Sequence, residues 1–132
     1  GWGVEKDFGT AREHFETAAN KDHAEAQSEL AKIFKDGRGI ERDYVRAARW
    51  FEKAAMQHQG VSQLNLARFY RSGKGVDKSS PHAWAWFSLA VDNQYMDAIG
   101  HRARLQRKMS DDEIAKAKTI LADLKKQMPP RQ

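Results

Sequence analysis

The sequence predicts an all-α fold in which helix-turn-helix units stack into a solenoid with a period of 36 residues. Three observations predict it: small and aromatic residues recur at this spacing, glycine pairs recur between them, and apolar residues within each unit follow the helical period. The recurring residues are Ala11, Ala47 and Ala83, then Phe15, Phe51 and Phe87, and the pairs Gly1/Gly3, Gly37/Gly39 and Gly73/Gly75. One such unit has too little core to fold alone, so neighbouring units must pack on each other.

The composition fits one folded domain. The chain has 132 residues, of which 40% are apolar and 31% charged, and a formal net charge of +5. The absence of cysteine excludes a disulfide framework, a thiolate nucleophile and a sulfur metal site. No apolar run approaches the roughly 18 residues of a membrane span, and no signal segment opens the sequence. Because residue 1 falls inside a repeat, we expect the chain to be a trimmed product, and composition leaves its compartment open.

The first complete unit is predicted over residues 24–59. Its first helix carries apolar residues at helical spacing and ends at Gly37 and Gly39, which tolerate positive φ. Asp43 is a good N-cap for the second helix, whose alanines and aromatic rings are expected to pack between units. The same hairpin is predicted again over residues 60–95, where Ser79 or Ser80 caps the second helix.

Both ends of the chain carry incomplete units. Residues 1–23 match only the turn and second helix of a unit. Residues 96–109 resemble a degenerate first helix, in which Arg102 and Gln106 replace apolar residues of the first unit. Such degeneration is typical of a terminal repeat.

Residues 110–128 are predicted to form a capping helix. Ser110 and Glu113 have the spacing of a capping box, and Pro129 with Pro130 stops the helix. Its apolar stripe comprises Ile114, Ala117, Leu121, Leu124 and Met128. We expect this helix to cover the open core at the C-terminal end, with a coiled-coil partner helix as the alternative.

The repeating positions together resemble the Sel1-like repeat, a relative of the tetratricopeptide repeat. The match rests on Ala26, Leu30, Ala31, Phe34, Gly37, Gly39, Ile40, Asp43, Ala47, Trp50, Phe51, Lys53, Ala54 and Ala55, and on Leu66, Ala67, Tyr70, Gly73, Gly75, Val76, Ala83, Trp86, Phe87 and Ala90. The resemblance implies a right-handed α/α superhelix that binds or scaffolds other proteins, commonly in bacterial envelope signalling and assembly. It favours the periplasm or cell envelope over the cytoplasm and implies no chemistry.

Residues that could carry catalysis are sparse. The histidines share no HExxH spacing, and the Gly-Arg-Gly and Gly-Lys-Gly turns follow a helix and lack a phosphate-loop fingerprint. We therefore predict no enzyme, cofactor, metal site or small-molecule substrate. Binding of RNA or another polyanion is the alternative function, because helical repeats of about 35 residues can read RNA. It is less favoured, since the aromatic residues sit at core spacing and leave few rings to stack on bases.

The 36-residue period also predicts a binding surface. On the first helix of the unit, Glu25, Ser28, Lys32 and Lys35 are expected to point away from the core. Two columns of three positions are basic throughout, namely Lys32, Arg68 and Arg104, and Lys35, Arg71 and Arg107. Because first helices line the concave groove of related solenoids, we expect these columns to steer an acidic peptide or protein segment while Leu64 anchors it. The simpler alternative is that the bases only solubilise an exposed helix face.

The truncated start predicts an exposed edge. Val4, Phe8 and Phe15 lack the first helix on which they should pack, so we expect an apolar patch there, covered by further repeats or by a second copy of the chain. The aromatic residues expected to be largely buried are Phe15, Trp50, Phe51, Trp86 and Phe87.

Overall fold

The computed structural model describes the backbone of residues 2–130 and the side chains of residues 9–130. This part of the chain contains seven α-helices and no strand. They are α1 (Trp2–Ala19), α2 (Ala24–Asp36), α3 (Tyr44–Ala55), α4 (Gly60–Ser72), α5 (Ser80–Asp92), α6 (Asp97–Gln106) and α7 (Asp111–Gln127). Each helix from α1 to α5 packs on the next one in the chain, and α7 packs back on α5. The predicted all-α solenoid is confirmed.

The backbone repeats with the same period as the sequence. Gly37 and Gly73 end α2 and α4 in the left-handed conformation, with φ of 70° and 75°. The second helices of the units end differently, because Asp22, His58 and Gln94 adopt positive φ (66°, 68° and 72°) without being glycines. These three positions are also 36 residues apart. A left-handed residue therefore recurs after the first helix of each unit and another after the second helix.

The predicted helix starts are present. Oδ1 of Asp43 accepts the backbone N–H of Arg46 at 3.0 Å, and Oγ of Ser79 accepts that of His82 at 3.3 Å. The capping box before α7 is complete, since Ser110 and Glu113 each bond the other's backbone N–H at 3.1 Å. Each cap satisfies an amide that the helix itself cannot.

The core lies between the helices of successive units. Phe51 and Phe87 are fully buried, and Trp86 is 2% exposed. Phe15 and Trp50 are less buried than these three residues, but both pack against the core. The tryptophans differ because α5, which carries Trp86, is covered by α7 as well as by α4 and α6. The ring of Trp50 instead lies under the ammonium group of Lys53, 4.9 Å from the ring centroid.

The N-terminal segment departs from the predicted turn. The helix α1 begins at Trp2 and runs through Gly3 and Val4, where the repeat pattern predicted a turn before the second helix. Residues 2–4 therefore continue the helix instead of forming the turn. The side chains of Val4 and Phe8 lie outside the described residues, whereas Phe15 packs against the core.

The degenerate helix α6 packs on α5 through polar contacts. Nε1 of Trp84 donates to Oε1 of Gln106 at 2.9 Å. The guanidinium of Arg102 lies over the Trp84 ring at 5.7 Å and donates to Oγ of Ser88 at 3.0 Å. These contacts replace the apolar packing that the same positions make in complete units.

Two buried glutamines, whose role the sequence pattern did not predict, join neighbouring units. Nε2 of Gln27 donates to the Ala19 carbonyl at 3.2 Å, and its Oε1 accepts from Gln57 at 2.9 Å. One period later, Nε2 of Gln63 donates to the Ala55 carbonyl at 3.1 Å, and its Oε1 accepts from Asn93 at 2.7 Å. Each glutamine therefore ties its own helix to the helices on both sides.

Replacing Gln63 by leucine is expected to lower the free energy of unfolding by about 1 to 3 kcal/mol, because the buried Ala55 carbonyl loses its side-chain donor. Urea denaturation followed by circular dichroism measures this loss. Gln127→Leu, at the exposed end of α7, is the control and should change stability little. Equal stability of the two variants would show that the glutamine bond contributes nothing.

Candidate functional site

The first helices of successive units lie side by side. Nζ of Lys35 on α2 donates to Oδ1 of Asn65 on α4 at 3.4 Å. One period later, NH1 of Arg71 on α4 lies 3.0 Å from Nδ1 of His101 on α6. We call the surface that α2, α4 and α6 share the first-helix face. The predicted basic columns lie along it.

A cleft of about 380 Å³ opens at the C-terminal end of this face. The residues that line it are Arg71, Lys78, Ser80, His101, Arg104, Leu105 and Lys108. Four of these side chains are cationic and none is acidic. We call this the basic cleft. Arg68 lies close enough to influence the ionisation of both Arg71 and His101.

His101 contacts two arginines of the cleft. Its Nδ1 lies 3.0 Å from NH1 of Arg71 and 3.2 Å from NH2 of Arg104. Since guanidinium groups only donate, Nδ1 must be the unprotonated acceptor for both. The imidazole stacks on the buried ring of Phe87, with centroids 5.5 Å apart and planes at 10°. The Arg71 guanidinium lies over the same ring at 5.4 Å.

The ionisation of these groups reflects crowded positive charge. The pKa of Arg71 is lowered by partial burial and then by repulsion from Arg68 and Arg104. The pKa of His101 is lowered by burial and then by all three arginines, against a raising effect of Asp97. Repulsion among the cations of the cleft is therefore unfavourable, and a bound anion would reduce this repulsion.

The remaining predicted residues are placed differently. Nζ of Lys32 is 3.2 Å from Oε1 of Glu29, and Lys35 bonds Asn65 as described above. Arg107 is exposed just after α6, outside the lining of the basic cleft. Leu64 is partly buried and packs against the core. The structure thus gathers Arg68, Arg71 and Arg104 and leaves the others apart.

One expectation for this face was wrong. Ser28 was expected to point outward, but it is 1% exposed. Ser28 belongs to the buried side of α2, together with Gln27 and Leu30. By contrast, Glu25 is exposed as expected.

Five lining residues of the basic cleft were not predicted from the sequence, namely Lys78, Ser80, His101, Leu105 and Lys108. Their counterparts in the preceding unit, 36 positions earlier, are Arg42, Tyr44, Asn65, Phe69 and Ser72. Of these pairs, only Arg42 and Lys78 are both basic. Columns of constant charge therefore do not reveal the cleft. A search for columns that change between units would have found it.

Acidification is expected to destabilise the fold through His101. The folded state lowers the pKa of this group below its ordinary 6.5, so the unfolded chain takes up the proton first as the pH falls. The contribution of His101 to the free energy of unfolding is therefore complete above about pH 6.5. It decreases as the pH falls from there toward the lower pKa of the folded state. The pKa of His82 is lowered by burial and by Lys116, and Glu52 raises it by less. His82 therefore acts in the same direction as His101.

Thermal melts between about pH 7.5 and about pH 5.5 measure this loss. His101→Gln should retain more of its melting temperature on acidification than the wild type does. His23→Gln, at an exposed position, is the control and should follow the wild type. An identical slope for His101→Gln and the wild type would contradict the assignment.

Two further observations concern the described residues. None of their helices is long and apolar enough to cross a membrane. No group of three or more histidine and acidic side chains among them is placed to hold a metal ion.

The fold and the charged first-helix face are those of an α-solenoid repeat protein. The similarity of its sequence to known sequences shows the family. The sequence model of the Sel1 repeat family matches residues 1–23, 24–58 and 60–95. The chain belongs to the Sel1 repeat family. Proteins of this family are generally non-catalytic scaffolds for protein–protein interaction. No curated protein sequence matches the chain.

The solved structures that are similar to the chain include two whose proteins are described as having an SLR fold or Sel1 repeats. A protective antigen present in uropathogenic Escherichia coli strains, which displays an SLR fold, matches 95% of the chain with a TM-score of 0.87 and 27% identity. A Sel1 repeat protein from Oxalobacter formigenes matches 68% of the chain with a TM-score of 0.66 and 29% identity. The chain spans 27% of the length of the first structure and 68% of the second.

Proposed function

We propose that the chain is a non-enzymatic scaffold that binds an acidic segment of a partner protein on its first-helix face, in bacterial envelope signalling or assembly. The single observation that carries the proposal is the basic cleft, in which four cationic side chains line a cavity without an acidic residue. Exposed cations that are merely solubilising are normally mixed with acids.

We favour a protein partner over a nucleic acid because the ring that lines the cleft, the His101 imidazole, is already stacked on Phe87. Phe87 is fully buried under His101, and Trp84 is 8% exposed. Binding of single strands usually combines a basic groove with accessible aromatic side chains. An acidic peptide needs only the charge and a groove of suitable shape.

The test is a charge reversal on the face, Arg68→Glu with Arg104→Glu. Association of a labelled glutamate-rich peptide, measured by stopped-flow fluorescence, should slow by about tenfold, and its salt dependence should flatten. The melting temperature should hardly change, because neither arginine forms an ion pair within 4.0 Å in the described structure.

The control is Arg49→Glu with Lys53→Glu, which changes the net charge equally but lies on α3. The proposal requires that this variant bind almost as fast as the wild type. Equal slowing by both variants would mean that net charge alone attracts the peptide. Unchanged binding by the first variant would mean that the basic columns only solubilise the helices.

A further inference from the structure

The second unit lacks an aromatic ring that fills the first. At the start of α3, the ring of Tyr44 packs edge-to-face on Phe69, with centroids 5.7 Å apart. One period later, the counterparts are Ser80 and Leu105. Both of these residues line the basic cleft. The cleft therefore occupies the space that a phenol ring fills in the preceding unit.

The second unit also lacks the acids that accompany the first. Lys32 pairs with Glu29 at 3.2 Å, and Lys35 lies 4.0 Å from Asp36. The counterparts of these acids, one period later, are Asn65 and Ser72, which carry no charge. Among the described residues, none of the cations lining the basic cleft lies within 4.0 Å of a carboxylate. Loss of the ring and loss of the acids coincide in one unit.

The donors of the cleft are held in place before any ligand binds. Nδ1 of His101 fixes the guanidinium groups of Arg71 and Arg104, and the buried ring of Phe87 supports both His101 and Arg71. Ser80 is the first residue of α5, so the positive end of that helix points toward the same space. Such preorganisation lowers the entropy lost on binding.

We infer that the basic cleft is a phosphate-binding site that takes the phosphoryl group of a phosphorylated serine or threonine in the partner segment. The inference rests on the proposed function and names the chemistry of its ligand. A phosphoryl group carries about −1.5 to −2 charges and three acceptor oxygens. Guanidinium groups match those oxygens with paired donors. A single carboxylate would leave most of the charge of four cations uncompensated.

The test compares three versions of one labelled acidic peptide, with phosphoserine, glutamate or serine at its centre. In fluorescence anisotropy, the phosphoserine peptide should bind about tenfold more tightly than the glutamate peptide. Inorganic phosphate should compete for the site only at far higher concentration, because it lacks the contacts of the peptide.

Variants of the cleft identify where the phosphoryl group binds. Arg71→Gln should abolish the preference for phosphoserine, whereas Lys35→Gln, its counterpart in the first unit, should retain it. Ser72→Asp restores the acid of the first unit at an exposed position, and should remove the preference without unfolding the protein. Ser80→Tyr should do so by filling the cleft, and a thermal melt checks that this variant folds.

The outcomes separate this inference from the proposed function. If the phosphoserine and glutamate peptides bind equally and both weaken in Arg71→Gln, the phosphate site is refuted while the acidic-segment scaffold stands. Failure of all three peptides to bind refutes both. If inorganic phosphate competes as well as the phosphoserine peptide, the site takes free phosphate and the inference is overturned. Tighter binding of single-stranded RNA than of the phosphoserine peptide overturns it in favour of nucleic acid.

Discussion

Phe51→Ala is expected to lower the free energy of unfolding by about 3 to 5 kcal/mol. The side chain is fully buried, and its ring meets that of Phe69 edge-to-face with centroids 5.6 Å apart. Truncation removes this contact and leaves a cavity between α3 and α4, where the first complete unit packs on the second. Urea denaturation followed by helical circular dichroism measures the loss.

Phe15→Ala is the matched control, because it makes the same chemical change in the same repeat column. Phe15 is only partly buried, so its truncation should cost clearly less than that of Phe51. Similar losses for the two variants would mean that stability is not concentrated at the contact between the complete units.

Gly75→Ala is expected to destabilise the fold by about 2 to 5 kcal/mol, from two sources. The residue has a φ of +70°, which side chains rarely adopt. A Cβ atom there would also lie 2.6 Å from the carbonyl carbon of Tyr44 and 3.1 Å from the backbone nitrogen of Val45. The start of α3 would have to move away from the turn.

The control for this substitution is Gly73→Ala, where φ is +75° but the nearest atom to an added Cβ is a side-chain carbon of Lys78 at 3.2 Å. This variant isolates the conformational cost of about 1 to 2 kcal/mol. Thermal melts of both variants give the difference between them. A Gly75→Ala variant no less stable than Gly73→Ala would contradict the close approach of the turn to α3.

The sequence predicts the helices well because repeated packing constrains the same positions in every unit. Phe51 and Phe87 are fully buried, and Gly37 and Gly73 adopt the expected left-handed conformation. The left-handed residues Asp22, His58 and Gln94 were not predicted, because their column contains no glycine, although aspartate and histidine adopt positive φ more often than most other residue types. Burial of Trp50 depends on which helix covers α3, and the period alone does not determine that.

The candidate site was predictable only in part. The two basic columns drew attention to Arg68, Arg71 and Arg104, which do lie together. Their convergence on His101 depends on the packing of α6 against α4, which no column of constant charge could reveal. The cleft itself arises from differences between units, such as the change from Tyr44 to Ser80.

An NMR titration of the ¹⁵N-labelled chain with a glutamate-rich peptide tests directly whether an acidic segment binds in the basic cleft. Amide shifts are expected to change first at Arg71, at Ser80 and along α6 around His101, while Lys32 on α2 changes less. Added salt is expected to reverse these changes, since the attraction is electrostatic. Changes centred on α3 around Trp50, or none on α4 and α6 at saturating peptide, would show that the peptide does not bind in the basic cleft.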